Sequence, residues 1–160
     1  MRNDLDRLAV LRRLLILDTQ PEKTFDDVTS MLARSLGVPI VLVNLLDENR
    51  DWFKSCVGLG VPESPAATSF CQTFFETSDS LVIVEDTTTD SRFSTHPLVT
   101  GDPFIRFYAA ARLVVEGQIV GTLCAYDVRP RRINTLQIED LHLQASAVAD
   151  ALIKRNRSAQ

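Results

Sequence analysis

The sequence predicts an α+β fold, in which an antiparallel sheet is packed against helices from both ends of the chain. Three observations support this fold class. Residues 105–126 read as two strands joined by a tight turn, residues 39–46 form an uninterrupted apolar run, and both ends show helical spacing of apolar residues. Hairpins in the middle and helices at the ends are typical of α+β domains. The length of 160 residues predicts one domain over 1–160.

The N-terminal region predicts two helices. The first covers residues 4–16, and its leucines fall on one face: Leu5, Leu8, Leu11 and Leu15. Thr19 and Glu22 have the spacing of a capping box that opens the second helix. The apolar face of that helix comprises Phe25, Val28, Leu32 and Leu36. Gly37 follows directly and is expected to end the helix in a left-handed conformation.

The middle of the chain predicts strands separated by a covering segment. The run 39–46 is rich in β-branched residues and predicts a central strand buried on both faces. A second strand over 51–56 is expected to pair with it. Ser69 is expected to cap a short helix over 70–76, and 81–84 predicts a short strand. Residues 86–103 show no periodicity, which is typical of a binding loop or lid.

The C-terminal half gives the clearest pattern. In 105–115 the side chains alternate, with Ile105, Phe107, Ala109, Ala111 and Leu113 on one face and Arg106, Tyr108, Ala110, Arg112 and Val114 on the other. Glu116-Gly117 fits a two-residue hairpin turn that leads into a strand over 118–126. Asn134 is expected to cap a final helix. Along it runs a heptad seam of Ile138, Leu141, Ala145, Val148 and Leu152.

Composition excludes several functional classes. The net charge is −4, which argues against nucleic acid or an anionic membrane as a partner. Neither a membrane-spanning apolar run nor a signal peptide is evident in the sequence, so we expect a cytoplasmic protein. The three cysteines, Cys56, Cys71 and Cys124, are widely spaced and lie far from His96 and His142 in the sequence. This spacing argues against a metal site.

Six ordered segments resemble the GAF domains of bacterial signal-transduction proteins. The opening segment, Leu-Ile-Leu-Asp-Thr-Gln-Pro-Glu, is similar to the start of one bacterial GAF subgroup. The resemblance is carried by Leu15–Glu22, Asp51–Ser55, Ser69–Cys71, Asp90–Phe93 with Pro97, Ile105–Ala109, and Gly121–Cys124 with Asp127. It covers nearly the whole chain.

The resemblance implies an architecture and a role. The architecture is a central antiparallel sheet of five or six strands, with the terminal helices on one face. Short helices and loops cover a ligand pocket on the other face. The domain core is expected at about 18–155, with signalling helices at 1–17 and 134–160. Such domains regulate histidine kinase or diguanylate cyclase output domains, here in cis or in trans.

The same resemblance bears on the cofactor. GAF relatives that attach a bilin use a cysteine in the region of Cys71, often with a histidine directly after it. Gln72 follows Cys71 here, and Thr73 stands where this subgroup commonly has a histidine. These departures argue against a covalent bilin. The resemblance therefore does not identify the small-molecule ligand, and it implies no certain cofactor.

The candidate ligand-binding residues are Phe70, Cys71, Phe74, Arg92, Phe93, Arg106, Tyr108 and Tyr126. Aromatic side chains with a few polar groups are typical of small-molecule pockets, and an arginine could hold a carboxylate or phosphate. Three of these residues could instead have a purely structural role. Arg92 could instead pair with Asp90 to hold the loop, Phe93 could anchor it, and Cys71 could be a buried apolar residue rather than a reactive thiol.

The functional hypothesis is a non-enzymatic sensory domain that binds a small molecule and signals through its terminal helices. The heptad seam predicts a homodimer through the final helix, although the same residues could pack on the domain's own sheet. One alternative is a dimerisation module with an empty pocket. Another is a free methionine-(R)-sulfoxide reductase, because some standalone GAF domains have that activity; the cysteine positions here do not match its arrangement.

Overall fold

The computed structural model describes residues 1–159, with the side chains of residues 1–158. Six strands form one antiparallel sheet in the order β3-β2-β1-β6-β5-β4. The strands are β1 (Ile40–Leu46), β2 (Arg50–Val57), β3 (Glu63–Pro65), β4 (Leu81–Val84), β5 (Phe107–Val115) and β6 (Gln118–Asp127). The predicted α+β fold and antiparallel sheet are therefore confirmed.

Four α-helices and three 3₁₀ helices accompany the sheet in the described part of the chain. The α-helices are α1 (Leu5–Arg13), α2 (Lys23–Leu36), α3 (Pro97–Thr100) and α4 (Thr135–Ala159). The 3₁₀ helices are Ala66–Thr68, Phe70–Phe75 and Thr87–Thr89. The segment expected to be irregular, 86–103, thus contains one 3₁₀ turn and α3. Gln160, the last residue of the predicted terminal helix, lies outside the described residues.

The apolar run 39–46 lies at the centre of the sheet. β1 is hydrogen-bonded to β2 on one side and to β6 on the other, and all seven of its residues are buried. Each strand neighbour satisfies half of the backbone groups of β1, and the two faces of the sheet bury its side chains. The prediction of a central strand is confirmed.

Alternation along β5 separates two apolar cores. Phe107, Ala109 and Ala111 belong to the core beneath the long helices, whereas Tyr108 and Ala110 belong to the core on the opposite face. This arrangement is the two-residue period of a strand. Ile105 is an exception to the predicted pattern, because it precedes the strand and packs with Tyr108 instead of Phe107.

The long helices cover one face of the sheet. α4 contacts β5 and β6, α2 contacts β1 and β2, and α1 contacts β6. The opposite face is covered by α3 and by the 3₁₀ helix Phe70–Phe75, whose apolar side chains belong to the second core. This two-layer arrangement agrees with the architecture that the family resemblance implies.

The start of the chain differs from the sequence prediction. α1 ends at Arg13, so Leu15 lies beyond it with a positive φ of 53° and is exposed. Leu5 is also exposed, at 78%, and only Leu8 and Leu11 of the four leucines are buried. The nine-residue helix ends two residues before Leu15, and Leu5 is its exposed first residue, so only Leu8 and Leu11 lie on its buried face.

The predicted capping box at the start of α2 is wrong. Glu22 is the N-cap residue, but its side chain makes no capping bond within the described residues. The Thr19 hydroxyl instead donates to the Ile16 carbonyl at 2.6 Å. The Glu22 carboxylate pairs with buried Lys54 and with Arg155. Leaving the buried Lys54 ammonium without a carboxylate costs more free energy than leaving one helix end without a side-chain cap.

The other turn signals are confirmed. Gly37 ends α2 with φ 68° and ψ 34°. Glu116 and Gly117 both have positive φ, as expected of a two-residue hairpin turn. At the start of α4, the Gln137 amide donates to Asn134 Oδ1 at 2.8 Å, and the Asn134 amide donates to Gln137 Oε1 at 3.0 Å. This pair is a reciprocal cap.

The heptad seam of α4 faces the domain's own sheet. Leu141, Ala145, Val148 and Leu152 are buried in the helix-side core, and Ile138 is half-buried. These residues therefore do not form the predicted dimer interface, because a stripe that covers the sheet cannot contact a partner helix at the same time. Leu136 and Leu143 are exposed on the same helix.

Within residues 1–159, every helix is either too short or too polar to span a membrane.

Two residues of α4 provide a test of this packing. Leu141→Ala is expected to lower the free energy of unfolding by about 2–5 kcal/mol, because a fully buried side chain leaves a cavity. Glu139→Ala, two residues earlier and exposed, is the control and is expected to change it by less than about 0.5 kcal/mol. Urea unfolding measures both. Equal effects would contradict the observed packing of α4.

Candidate functional site

A cavity of about 180 Å³ lies between the sheet and the segments that cover its second face. Strands β1 and β2 form its floor, and residues from the 3₁₀ helix Phe70–Phe75 and from the segment around α3 form its walls. Its apolar lining includes Ile40, Leu42, Phe53, Phe70, Leu98 and Ile105. Its polar lining includes Asn44, Asp51, Ser64, Thr68, Ser69 and Tyr126.

A buried carboxylate organises the polar side of the cavity. Asp51 is 3% exposed, and its Oδ1 accepts a hydrogen bond from the Arg2 guanidinium at 2.9 Å. Its Oδ2 accepts from Asn44 Nδ2 at 3.0 Å and from the Ser69 hydroxyl at 2.5 Å. The charge of Asp51 is therefore matched by one guanidinium, and three donors satisfy its oxygens.

Asn44 carries an unused acceptor. Its Oδ1 is buried and has no hydrogen-bond partner among residues 1–159. The assignment of the amide is determined by Asp51, because only Nδ2 can donate to that carboxylate. A buried polar atom without a partner costs about 1–3 kcal/mol, so this acceptor is a local cost to the stability of the fold.

Aromatic rings form the other side of the cavity. Phe70 stands at the centre of the cluster, with its ring centroid 5.3 Å from Phe93, 5.2 Å from Tyr108 and 5.5 Å from Tyr126. The His96 imidazole stacks on Phe70 at 4.2 Å. Burial raises the pKa of Tyr108 and Tyr126 well above the usual tyrosine value, so both phenols stay neutral.

Cys71 lies behind this cluster. Its Sγ is 3.0 Å from Thr122 Oγ1 and 3.1 Å from the Tyr108 hydroxyl. Burial opposes ionisation of the Cys71 thiol, but hydrogen bonds from Cys124, Thr122 and Tyr108 outweigh it and lower the pKa. Burial and the bond to Cys71 raise the pKa of Cys124 well above the usual value. Both thiols are completely buried.

Comparison with known proteins identifies the family. A family model described as GAF domain matches residues 20–152. The chain belongs to the GAF domain family. A cyclic di-GMP phosphodiesterase of Pseudomonas aeruginosa is 35% identical to this GAF domain over 126 residues. The match covers 78% of the chain and 21% of that protein, so the chain spans about a fifth of the relative's length.

Solved structures share the fold of this GAF domain. The GAF domain of an Acinetobacter phosphoenolpyruvate-protein phosphotransferase superposes with a TM-score of 0.68 at 16% identity, over 94% of this chain and 95% of that one. A free methionine-R-sulfoxide reductase of Neisseria meningitidis superposes with a TM-score of 0.66 at 15% identity, over 99% and 96%. At these identities the likeness establishes architecture alone.

The predicted ligand-binding residues of the GAF domain fall into three groups. Phe70 and Tyr126 line the cavity, as expected of binding residues. Tyr108, Phe93, Phe74 and Cys71 are buried behind it in the second core. Of these, Phe93 therefore anchors its loop, which is the structural role weighed for it, and Cys71 has the burial of a packed core residue.

The two arginines lie outside the described lining of the cavity. Arg92 pairs with Asp90, with Nη2 and Oδ2 2.7 Å apart, on the surface. Arg106 donates to the Val99 carbonyl at 2.8 Å and to the Ile105 carbonyl at 3.2 Å. Both guanidinium groups therefore brace the loop 86–103. The expectation that either faces a bound anion is corrected, because these local partners hold both side chains in place.

The buried polar network at the cavity was missed by sequence reasoning. Asn44, Asp51 and Arg2 were not among the predicted site residues, and Ser69 was expected to act only as a helix cap. One signal was present: Asn44 interrupts an apolar run that was expected to be buried on both faces. A lone amide in such a strand requires a buried partner. In contrast, Arg2 belongs to the first residues of the chain, and local sequence does not connect it with Asp51.

The Arg2–Asp51 pair can be tested by removing the carboxylate. Asp51→Ala leaves the Arg2 guanidinium buried without its charge partner, so the free energy of unfolding is expected to fall by about 3 kcal/mol. Glu48→Ala breaks the exposed Arg12–Glu48 pair and serves as the control, with an expected change below about 0.5 kcal/mol. Chemical unfolding reports both values. A loss at Asp51 as small as at Glu48 would mean that the pair contributes little.

His96 predicts a pH dependence. Burial lowers its pKa, although a hydrogen bond to the Thr68 backbone opposes the shift. Because the folded state disfavours the imidazolium, neutral His96 contributes to stability. This contribution is complete above the unfolded-state pKa of about 6.5, and it is lost as the pH falls through the lower pKa of the folded state. His96→Asn keeps an acceptor for the Leu98 amide and does not titrate.

The measurement compares the wild type with His96→Asn in urea unfolding between pH 8 and pH 5. The stability of the wild type relative to the variant is expected to decrease towards pH 5. A constant difference across this range would show that protonation of His96 is not linked to folding.

Proposed function

We propose that this GAF domain is a non-enzymatic sensory module, which binds a small molecule in the cavity and passes the change to its terminal helices. The lining of the cavity carries this proposal, because it is mostly apolar and has a polar side at Asn44, Asp51 and Ser69. A concave, mostly apolar site with a few polar groups is the usual form of a small-molecule site.

Arg2 connects the cavity to the N-terminal helix. Besides Asp51, its guanidinium donates to the Asp47 carbonyl at 2.9 Å and to Gln72 Oε1 at 3.2 Å. The Arg7 guanidinium, on α1, donates twice to the Arg2 carbonyl, at 2.6 Å and 2.9 Å. A shift of Asp51 on ligand binding would therefore move a segment that is bonded directly to α1.

The two terminal helices are joined to each other. Arg155, near the end of α4, donates to Glu22 at 2.6 Å and to the Leu15 carbonyl at 3.0 Å. Glu22 also pairs at 2.6 Å with Lys54 of β2, the strand that carries Asp51. Asn156 Nδ2 donates to the Arg13 carbonyl at 2.7 Å. A ligand that favours one of two arrangements of these contacts by about 1–3 kcal/mol would suffice for signalling.

The burial of the cysteines supports a role without catalysis. A thiol reductase needs a sulfur atom that its substrate can reach. Cys71 and Cys124 are completely buried, and the half-buried Cys56 donates to the Leu59 carbonyl at 3.4 Å. Burial also raises the pKa of Cys56 above its usual value, which disfavours its nucleophilic thiolate.

A dimerisation module with an empty pocket is the alternative. The cluster of Phe70, Phe93, Tyr108 and Tyr126 fills much of the second face of the sheet, which is the observation that favours it. Under this alternative the cavity would be a packing defect. The polar lining at Asn44, Asp51 and Ser69 argues against it, since cavities that stay empty in proteins are apolar.

A thermal-shift screen distinguishes the two functions. Against a panel of metabolites and cyclic nucleotides, at least one compound is expected to raise the melting temperature, because a ligand bound only to the native state stabilises it. Leu42→Phe adds ring atoms where the cavity lies and is expected to abolish the shift. Leu143→Phe, on the exposed side of α4, is expected to keep it.

A panel without any hit would favour the empty dimerisation module. The same preparations are expected to give no turnover of free methionine sulfoxide with a thiol reductant. Turnover above the blank would instead make the domain a reductase.

The family and the relative support a proposal for the output of the domain. A histidine kinase or diguanylate cyclase output domain, in cis or in trans, is the partner we propose, in the cytoplasm. The similarity to a cyclic di-GMP phosphodiesterase is consistent with signalling through cyclic dinucleotides. The acidic net charge remains the argument against nucleic acid as a partner.

A homodimer through α4 is also proposed, on a different face from the predicted seam. Leu136 and Leu143 are one heptad apart, and they are 76% and 66% exposed. Light scattering at high protein concentration is expected to give the mass of a dimer. Leu143→Glu is expected to shift it towards the monomer, whereas Leu59→Glu, exposed on the cavity side, is expected to leave it unchanged. A monomeric wild type would contradict the proposal.

A further inference from the structure

We infer that a second site, separate from the cavity, binds a small oxyanion such as a carboxylate or a phosphate at the guanidinium groups of Arg7 and Arg112. The site lies where the start of α1, the 3₁₀ helix Phe70–Phe75 and the hairpin of β5 and β6 meet, in a pocket of about 230 Å³. None of its described lining residues lines the cavity, so this inference does not depend on the proposed function.

The guanidinium of Arg7 is a buried cation without a carboxylate. Arg7 is 2% exposed, and its three hydrogen bonds go to the backbone carbonyls of Arg2 and Ile119. It forms no ion pair within the described part of the chain. Burial, together with the charge of Arg2, lowers the pKa of Arg7 to about 10. Buried charges in proteins are normally paired, because carbonyl groups do not neutralise a charge that has left water.

The other charged groups that act on Arg7 are engaged elsewhere. Three of the neighbouring ion pairs are Arg2–Asp51, Arg50–Asp47 and Arg12–Glu48. Asp4 is exposed, and its carboxylate accepts hydrogen bonds from the Asp6 and Arg7 amides at the start of α1. The positive charge of Arg7 is therefore the one that these side chains leave unmatched.

Arg7 keeps donors that an anion can use. A guanidinium has five N–H groups, and the three bonds to carbonyls leave two of them without an acceptor among residues 1–159. The Phe75 ring packs on the guanidinium, with its centroid 4.9 Å from Arg7 Cζ. Stacking on a ring leaves the N–H groups free, because they lie in the plane of the guanidinium. Carboxylates and phosphates bind arginine in that plane, through two parallel hydrogen bonds.

Arg112 brings a second cation to the same pocket. It is half-buried on β5, and its side chain has no hydrogen bond or ion pair within the described residues. Asp4 is the carboxylate of the described lining, so two guanidinium groups stand against one negative charge. The side-chain amide of Gln118 also lines the pocket and can donate a further hydrogen bond. The pocket therefore has the excess positive charge and the donors that an oxyanion requires.

Titration of the wild-type protein with acetate and with inorganic phosphate tests this site. Sodium chloride keeps the ionic strength constant, which separates a specific site from general screening of charge. In ¹⁵N–¹H spectra, at least one of the two anions is expected to shift the Arg7 Nε–H and the backbone amides of Gln118 and Ile119, with a Kd in the millimolar range. Binding of acetate alone would assign the site to carboxylates, and binding of phosphate alone would assign it to phosphates.

A charge-removing variant of Arg112 tests its share in the binding. Arg112→Gln is expected to weaken binding of the anion by roughly tenfold, which is the effect of losing one charge-assisted hydrogen bond. Arg129→Gln is the matched control, because it removes an exposed arginine that lies beyond the opposite end of β6 from Gln118. The control is expected to keep the wild-type Kd.

The inference would be overturned by the absence of a saturable shift at Arg7, Gln118 and Ile119 with both anions, or by equal shifts with chloride. Equal affinities of Arg112→Gln and Arg129→Gln would also overturn it. The wild-type titration decides without any variant, so the test stands even if Arg112→Gln lowers the stability of the fold. A ligand of the cavity is detected separately by the thermal-shift panel, so failure at this site leaves the proposed function intact.

Discussion

The burial of the Asp51 carboxylate is the constraint on which the second face of the sheet depends. A charge that is 3% exposed must be neutralised and hydrogen-bonded, and its three partners come from three distant parts of the chain. Arg2 brings the N-terminal segment, Asn44 belongs to the central strand and Ser69 begins the 3₁₀ helix over the cavity. One side chain thus holds together the floor, the wall and a terminal segment of the domain.

A second buried charge has the corresponding role on the side of the long helices. The Lys54 ammonium is enclosed between strand β2 and the segment before α2, where it donates to Thr19 and Gln20 and pairs with Glu22. Glu22 is shared with Arg155 of α4. Asp51 and Lys54 lie three residues apart on the same strand. Because alternate residues of a strand face opposite sides of the sheet, β2 carries one buried ionic contact to each layer of the fold.

Much of the fold could be predicted from sequence because it depends on local patterns. The alternation along β5, the turn at Glu116-Gly117 and the cap at Asn134 each follow from the conformational preferences of a few adjacent residues. The sequence predictions failed where contacts between residues far apart in the chain determine the structure. Glu22 looked like a cap but pairs with Lys54, and the heptad of α4 does not distinguish a partner helix from the domain's own sheet. Periodicity identifies an apolar face without identifying what covers it.

The candidate site was harder to predict for the same physical reason. Aromatic residues suggested the correct region, and Phe70 and Tyr126 do line the cavity, but the arginines chosen as anion ligands are held by Asp90 and by backbone carbonyls. The polar character of the cavity instead depends on Asn44 and Asp51. The two polar atoms of the Asn44 amide differ in their hydrogen bonding. Its nitrogen is bound to a carboxylate that Arg2 neutralises, and its oxygen is left without a partner. The charge of this polar side is therefore balanced by Arg2, a residue outside the described lining of the cavity, and no local sequence pattern connects the two.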